Sequence, residues 1–233
     1  MKNYLLIGAG SDIAGQTAHI LKNEDVALFG TTRNLTEIDD QLFDHTLEID
    51  PVNDDFPKNF LPEQLDGMVY FPGTVNLKPF KMLKDKDFNE DLGINLFGLI
   101  KALRWVLPAL TRSEKASVVM FSTVAVAQGM PYHSSIATAK GAVEGLAKSL
   151  AAEYAPKIRF NCIAPSLTET KLVERLVNSE EKKTASRDRH PLRAIGDATD
   201  MAEATAFLLS SKSKWMTGQV LGIDGGISSL RVK

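Results

Sequence analysis

Tyr4-Leu5-Leu6-Ile7-Gly8-Ala9-Gly10-Ser11-Asp12-Ile13-Ala14-Gly15 is the stretch that decides the fold. Its first four residues form an unbroken apolar run, as expected of a strand buried on both faces of a parallel sheet. Gly8 ends that run. Residues 13–22 then place Ile13, Ala14, Ala18 and Leu21 on one stripe of a helix. A buried strand, a glycine turn and an amphipathic helix in this order bring backbone amides to the positive end of a helix, where an anionic diphosphate is stabilised. The candidate contacts are Gly8, Gly10, Ser11, Asp12 and Ile13. Gly15 is either a further part of this turn or a packing glycine within the helix.

The pattern continues outward from this unit. Val26-Ala27-Leu28-Phe29 predicts a second strand, and Gly30-Thr31-Thr32-Arg33-Asn34 follows it. An acidic residue here would suit the ribose 2′-hydroxyl of NAD, and an arginine suits the 2′-phosphate of NADP. Thr32 stands where the acid is expected and Arg33 follows, so NADP(H) is favoured over NAD(H); the alternative is a solvated loop cation. Further strands are expected at 47–49, closed by Asp50-Pro51, and at 67–71, stopped by Pro72-Gly73. Others follow at 117–121, at 158–163 before Pro165, and at 220–223 before Asp224-Gly225-Gly226. Helical periodicity covers 92–110 and 136–154. Strands alternating with helices predict an α/β chain: a single-domain Rossmann fold over 1–233, with a doubly wound parallel sheet of about seven strands. The charged segment 167–193 reads either as a solvated helical loop or as a lid over a substrate cleft.

Composition narrows the function classes. The chain has 233 residues, enough for one well-buried α/β domain and short for two. A formal net charge of −2 gives no field that would gather nucleic acid or an anionic membrane. The single cysteine, Cys162, allows no internal disulfide and no thiolate metal cluster, and reads as a small buried hydrophobe. His19, His45, His133 and His190 are scattered without metal-site spacing, so no metal is expected. The apolar segment Tyr4-Leu5-Leu6-Ile7 is too short for a signal peptide or a membrane span, and a cytoplasmic protein is the default expectation.

Over nearly its whole length the chain resembles the short-chain dehydrogenase/reductase family. The family's first glycine turn is T-G-x-x-x-G-x-G; here Gly8 matches, Ile7 replaces the Thr, and Asp12 and Ala14 stand at the other glycines. Of the family's N-N-A-G after the fourth strand only Gly73 remains, in Tyr70-Phe71-Pro72-Gly73. Asp50 matches an acid that contacts the adenine amino group. Asn95, in Gly93-Ile94-Asn95, matches the family's structural and catalytic Asn. Thr123, in Phe121-Ser122-Thr123, stands at the position of the catalytic Ser. Lys140, in Ala139-Lys140-Gly141-Ala142, resembles the catalytic Lys that holds the nicotinamide ribose. Ile158-Arg159-Phe160-Asn161 through Pro165 resembles the strand leading to the family's Pro-Gly turn, with Ser166 in place of the Gly, which makes Pro165 a cofactor contact; Thr170 falls at the Thr that contacts the cofactor's pyrophosphate–nicotinamide half. Trp215-Met216-Thr217-Gly218-Gln219 through Asp224-Gly225-Gly226 is a further specific match.

One position departs where the chemistry is concentrated. The family's proton donor is a Tyr one helical turn before the Lys; here that position is Ile136. An isoleucine transfers no proton, and general acid–base help is typically worth ~10²–10⁴-fold in rate. Tyr132 and His133 precede the helix, which is expected to start near Ser134 or Ser135 with a serine cap. Either residue is a candidate to reach into the cleft, and His is suited to neutral pH. The resemblance therefore implies an NADP(H)-dependent oxidoreductase of a small carbonyl or alcohol with an altered donor. The alternative is a non-catalytic dinucleotide binder, such as a redox sensor or assembly subunit. A homo-oligomer, tetramer or dimer, is expected from the apolar stripes of 92–110 and 139–154.

Overall fold

In a computed structural model, which describes residues 1–231, the opening unit forms as its sequence dictates. Strand β1 (Lys2–Ile7) ends at Gly8, and helix α1 (Asp12–Leu21) starts after Ser11, whose hydroxyl accepts from the Ala14 amide at 3.3 Å. Tyr4 to Ile7 are at most 1% exposed, because helices cover both sheet faces. The remaining strands are β2 (Val26–Thr32), β3 (His45–Glu48), β4 (Gly67–Tyr70), β5 (Ala116–Phe121), β6 (Ile158–Pro165), the two-residue β7 (Thr168–Glu169) and β8 (Gly196–Asp197), and β9 (Val220–Ile223). The helices are α2 (Asp85–Leu92), α3 (Gly98–Leu110), α4 (Ala125–Gln128), α5 (Ser134–Tyr154), α6 (Glu180–Arg189) and α7 (Ala198–Leu209).

The main sheet has seven strands in the order β3-β2-β1-β4-β5-β6-β9, and every pairing is parallel. This is the single-domain, doubly wound arrangement expected. Alternate residues feed two cores. On one face Leu5, Met68, Val118 and Phe160 meet Leu99, Val106 and Leu110 of α3 and Val143 and Ala147 of α5. On the other, Leu6, Leu28, Val69 and Val119 meet Ala18 and Leu21 of α1 and Met201 and Leu208 of α7. Chain order reverses between β1 and β4, and the crevice outside the carboxyl ends of the strands opens at that switch point.

Several details differ from the sequence expectations. The third strand lies two residues earlier than 47–49 because His45 pairs with Phe29 and stacks on its ring, 4.6 Å between centroids. Helix α7 was not anticipated: its buried stripe uses Ala202 and Thr205 beside Met201, Leu208 and Leu209, and small residues blur an apolar period. The 92–110 helix is the second half of a longer run. Asp85–Leu110 is continuous, and by length and composition it is apolar enough to cross a membrane. Here Leu99, Val106 and Leu110 of that run are buried on the sheet. It is interrupted by one π-helical turn, Gly93–Phe97, in which the Gly98 amide reaches back to the Gly93 carbonyl. Tyr70 donates its hydroxyl to the Ile94 carbonyl at 2.7 Å, and a Cβ on Gly98 would stand 2.5 Å from that hydroxyl oxygen.

Candidate active site

A cleft of about 1000 Å³ lies along the carboxyl ends of the strands. Its floor at one end is the glycine turn. Gly8 has φ +79°, and a Cβ there would stand 2.9 Å from Pro72 Cδ, so only glycine fits without strain. The Gly8 and Ala9 amides are held by the Thr31 carbonyl at 2.9 and 2.8 Å. The amides of Asp12 and Ile13, in the first turn of α1, have no acceptor inside the helix and stand at its positive end. Gly8, Gly10, Ser11, Asp12 and Ile13 all line the cleft. The Asp12 carboxylate is turned onto the segment that follows β7: it accepts from the Lys171 amide at 2.7 Å, with the Lys171 ammonium 3.8 Å away. Gly15 lies inside α1 and would meet nothing within 4 Å if given a Cβ, so close packing does not require glycine there.

Arg33 and Asp50 line the same end. Burial pushes the Asp50 carboxyl up. The Val52 and Asn53 amides, the Asn53 side chain and the nearby Arg33 guanidinium outweigh this and hold it below the usual carboxylate range. The Asp50 oxygens already accept from the Val52 amide and from Asn53 Nδ2 at 2.8 and 3.0 Å, so this carboxylate orders its own loop as well as facing the cleft.

At the other end, Lys140 of α5 reaches over the end of β5. Its ammonium donates to the Phe121 carbonyl at 2.9 Å, and the side chain is 7% exposed. Burial pulls its pKa down to about 8, against the opposing fields of Cys162 and Asp91. Cys162 is fully buried; burial, aided by Glu144, pushes its thiol up to about 12, so it is an inert core residue as expected.

Asn95 is set by the π-turn. Its Nδ2 donates to Thr74 Oγ1 and to the Asp91 carbonyl, both at 2.8 Å. Both amide protons are thereby used, so Oδ1 faces away from them, buried and without a partner. A Cβ on Gly73 would lie 3.3 Å from that Oδ1 and 3.4 Å from Lys140 Nζ. Two unlike polar atoms thus converge on space that only a glycine at 73 leaves open.

A network absent from the sequence reading supports this point. Thr74 Oγ1 donates to the fully buried Asp91 carboxyl, Asn76 Nδ2 donates to it at 2.8 Å, and Ser135 Oγ donates to it at 2.5 Å. Helix α5 does begin at Ser134, but the expected serine cap is not formed. Residue 133 is the N-cap, without a side-chain bond, and Ser135 spends its hydroxyl on Asp91. No local signal in the sequence marks Thr74, Asn76, Asp91 and Ser135 as a group, because only the fold brings them together.

Thr123 lies just beyond β5, lines the cleft, and its hydroxyl accepts from the Ala125 amide at 3.3 Å. Gly73, Pro165 and Thr170 also line it. Ile136, one turn before Lys140, presents only carbon and is 4% exposed. His133 lines the cleft, with Nδ1 bonded to the Pro131 carbonyl at 2.8 Å. Tyr132 does not line it: it is 57% exposed and has φ +71°. The charged segment is a 3₁₀ helix (Lys171–Leu176) and α6, and it supplies Leu172, Val173, Leu176 and Arg189 to one wall. Among the described residues no cluster suited to a metal is present.

Comparison with known proteins agrees with this architecture. Residues 8–228 match the family model described as enoyl-(acyl carrier protein) reductase. The 3-oxoacyl-[acyl-carrier-protein] reductase FabG of Thermotoga maritima is 34% identical over 165 residues, 70% of this chain and 66% of that protein, so the chain spans just under two thirds of that relative's length. Ligand-free aldohexose dehydrogenase of Thermoplasma acidophilum superposes with a TM-score of 0.89 at 26% identity, covering 100% of this chain and 97% of that one. ElxO with NADP bound gives 0.83 at 25% identity, covering 98% and 99%. With a family model spanning most of its length and these folds matching end to end, the chain belongs to the short-chain dehydrogenase/reductase family.

Proposed function

We propose that the chain is an NADP(H)-dependent oxidoreductase acting on a small carbonyl or alcohol, with a proton donor other than a tyrosine at position 136. The observation that carries this reading is the convergence of the Lys140 ammonium and the unpartnered Asn95 Oδ1 beside Gly73, in the same cleft as the Gly8 turn. The residues present suit a dinucleotide. The amides of Asp12 and Ile13 would take its diphosphate, and Arg33 its 2′-phosphate. Asp50 would face the adenine, and Lys140, Pro165 and Thr170 the nicotinamide half. Bound there, the cofactor supplies or accepts a hydride. Thr123 orients the substrate oxygen, and Lys140 and Asn95 hold a polar path behind it. The segment 167–193 closes the cleft as a lid, tethered to the glycine turn through Asp12 and Lys171.

The non-catalytic alternative has Ile136 in its favour. It gives no reason for a buried lysine facing an unpaired amide oxygen, which is costly to maintain in a mere anchor. The location is cytoplasmic and the active form a homo-oligomer, tetramer or dimer. Phe97, 59% exposed at the end of the π-turn, is part of the face left for a second copy, and light scattering tests that assembly. The cofactor reading is tested by titrating NADPH and NADH into wild type and Arg33→Ala. A preference for NADPH that falls at least about tenfold in the variant is expected, roughly the worth of one charge-assisted contact of 1.5–3 kcal/mol. An unchanged ratio removes Arg33 from the site. Turnover is tested by NADPH oxidation with a panel of small ketones and aldehydes.

A further inference from the structure

With Ile136 unable to move a proton, one hydroxyl of the cleft stands out because it is paired with a buried imidazole. Ser166 follows β6 and lines the cleft with Thr123, Ile136 and Lys140. The β5–β6 ladder continues past the strands: Ser122 N donates to the Ile163 carbonyl at 2.7 Å and Val124 N to the Pro165 carbonyl at 3.1 Å. Thr123 and Ser166 are therefore carried on neighbouring chain segments, about 4.8 Å apart in the hydrogen-bonding direction. Ser166 Oγ is 2.8 Å from His190 Nε2, and His190 Nδ1 is 2.7 Å from the Ser186 carbonyl. His190 is 3% exposed and Ser186 2%, and Gly225 packs on the imidazole, a Cβ there standing 3.4 Å from His190 Cδ2.

The bonding fixes the protons. A carbonyl only accepts, so Nδ1 carries a hydrogen and donates to Ser186. In neutral His190, Nε2 is then the acceptor and Ser166 must donate to it. In the imidazolium, Nε2 donates to Ser166 Oγ and frees the serine proton to point into the cleft. This is the hydroxyl–imidazole–orienting-group arrangement that makes a weak hydroxyl useful in proton transfer. The charged groups on the surrounding elements are Arg189 and Arg193 near His190 in the chain and Asp224 beside Gly225. The Arg189 guanidinium bonds Ser186 Oγ at 3.1 Å, and the Asp224 carboxylate takes the Gly226 and Ser228 amides.

We propose that Ser166 is the proton-transferring catalytic residue of this chain and that His190 positions it and stores its proton. The inference rests on the oxidoreductase reading above. A reduced dinucleotide bound in the cleft would supply the hydride to the substrate carbon. The C=O π pair takes the Ser166 hydroxyl proton, and Ser166 Oγ takes the Nε2 proton of imidazolium His190. One reduced dinucleotide, one carbonyl and one proton become one oxidised dinucleotide and one alcohol, and solvent recharges His190 between turnovers. Alcohol oxidation runs the same path backwards, with neutral His190 as the base.

The test measures NADPH oxidation by the full chain with ethyl acetoacetate among a panel of small ketones and aldehydes, from pH 5 to 9. Wild type, Ser166→Ala, His190→Gln and His133→Ala are compared. Since reduction needs the imidazolium, the wild-type kcat is expected to fall as pH rises. Ser166→Ala, which removes one hydroxyl, is expected to lower kcat by 10²-fold or more, with the NADPH dissociation constant changed less than threefold. His190→Gln keeps an acceptor for Ser166 and is expected to abolish that fall. In the dinucleotide-free protein, ¹⁵N resonances should show His190 protonated at Nδ1, with Nε2 shifting in Ser166→Ala; an Nε2–H tautomer overturns the proposal without reference to turnover. Wild type that turns over while Ser166→Ala and His190→Gln retain its kcat and profile overturns this inference alone. Loss of the pH dependence in His133→Ala alone does the same. A wild type that oxidises NADPH with no member of the panel overturns the oxidoreductase reading and this inference with it.

Discussion

Replacing Lys140 by methionine should make the protein more stable at neutral pH while destroying the candidate site. The ammonium is buried, and its pKa falls from 10.5 to about 8. A pKa lowered on folding means that the unfolded chain holds the proton more tightly. This group therefore opposes folding below pH 8, and its penalty fades as pH rises towards 10.5. A drop of that size corresponds to about 3 kcal/mol at pH 7, each unit being about 1.4 kcal/mol, and to only about 1 kcal/mol at pH 10. Methionine of similar length removes this penalty. It also leaves the Phe121 carbonyl without its donor, which costs roughly 1–2 kcal/mol. The net expectation is a variant about 1–2 kcal/mol more stable than wild type at pH 7. The sharper expectation is the pH dependence. The stability of the variant minus that of wild type should fall by about 2 kcal/mol between pH 7 and pH 10, to zero or slightly below, because every other titrating group is shared. Urea unfolding at four or five pH values measures it. A difference that stays constant with pH, or a variant less stable at pH 7 than at pH 10 relative to wild type, would refute the claim that a charged lysine is held here against its solvation.

Three other outcomes follow from the geometry. Gly73→Ala places a methyl 3.3 Å from Asn95 Oδ1 and 3.4 Å from Lys140 Nζ, so turnover should fall at least about tenfold, with a melting temperature within a few degrees of wild type; retained kcat would show that this space is not used. Gly8→Ala combines a positive φ with a 2.9 Å approach to Pro72, and should cost roughly 1–3 kcal/mol in urea unfolding and weaken dinucleotide binding in calorimetry. Asp91→Ala strands the donors of Thr74, Asn76 and Ser135 in a buried pocket, an expected loss of roughly 2–4 kcal/mol; a loss under 1 kcal/mol would mean that the network rearranges freely.

The sheet was legible because its strands are written as continuous apolar runs: Tyr4 to Ile7 and Ser117 to Phe121 are buried along their length, and a periodic rule finds them without knowledge of their neighbours. The glycine turn was legible for the same local reason, since Gly8 needs a positive φ that the chain must encode at that position. The Lys140–Asn95 convergence was visible only through resemblance. Asn95 and Lys140 are 45 positions apart, and what unites them is a turn of π-helix that no residue pattern announces. Ser166 and His190 were hidden more deeply. A serine after proline and a histidine among arginines are ordinary surface signals, and only the tertiary approach of the end of α6 to the end of β6 makes them a pair. The serine cap expected at the start of α5 is absent because His133 takes the N-cap position and both serines lie inside the helix, where the Ser135 hydroxyl goes to Asp91, distant in sequence.

The π-turn at Gly93–Phe97 acts as a phase shift along one rod. Each residue advances a helix by about 100°, so one residue too many dials everything upstream round relative to everything downstream. Asp87 and Asp91 can then be clocked towards α5 while Leu99, Leu103 and Val106 stay clocked onto the sheet. A single-residue deletion between 93 and 97 would leave composition, hydropathy and sheet untouched. It would nevertheless force a choice between the two alignments, and the cheaper one to surrender is the polar one.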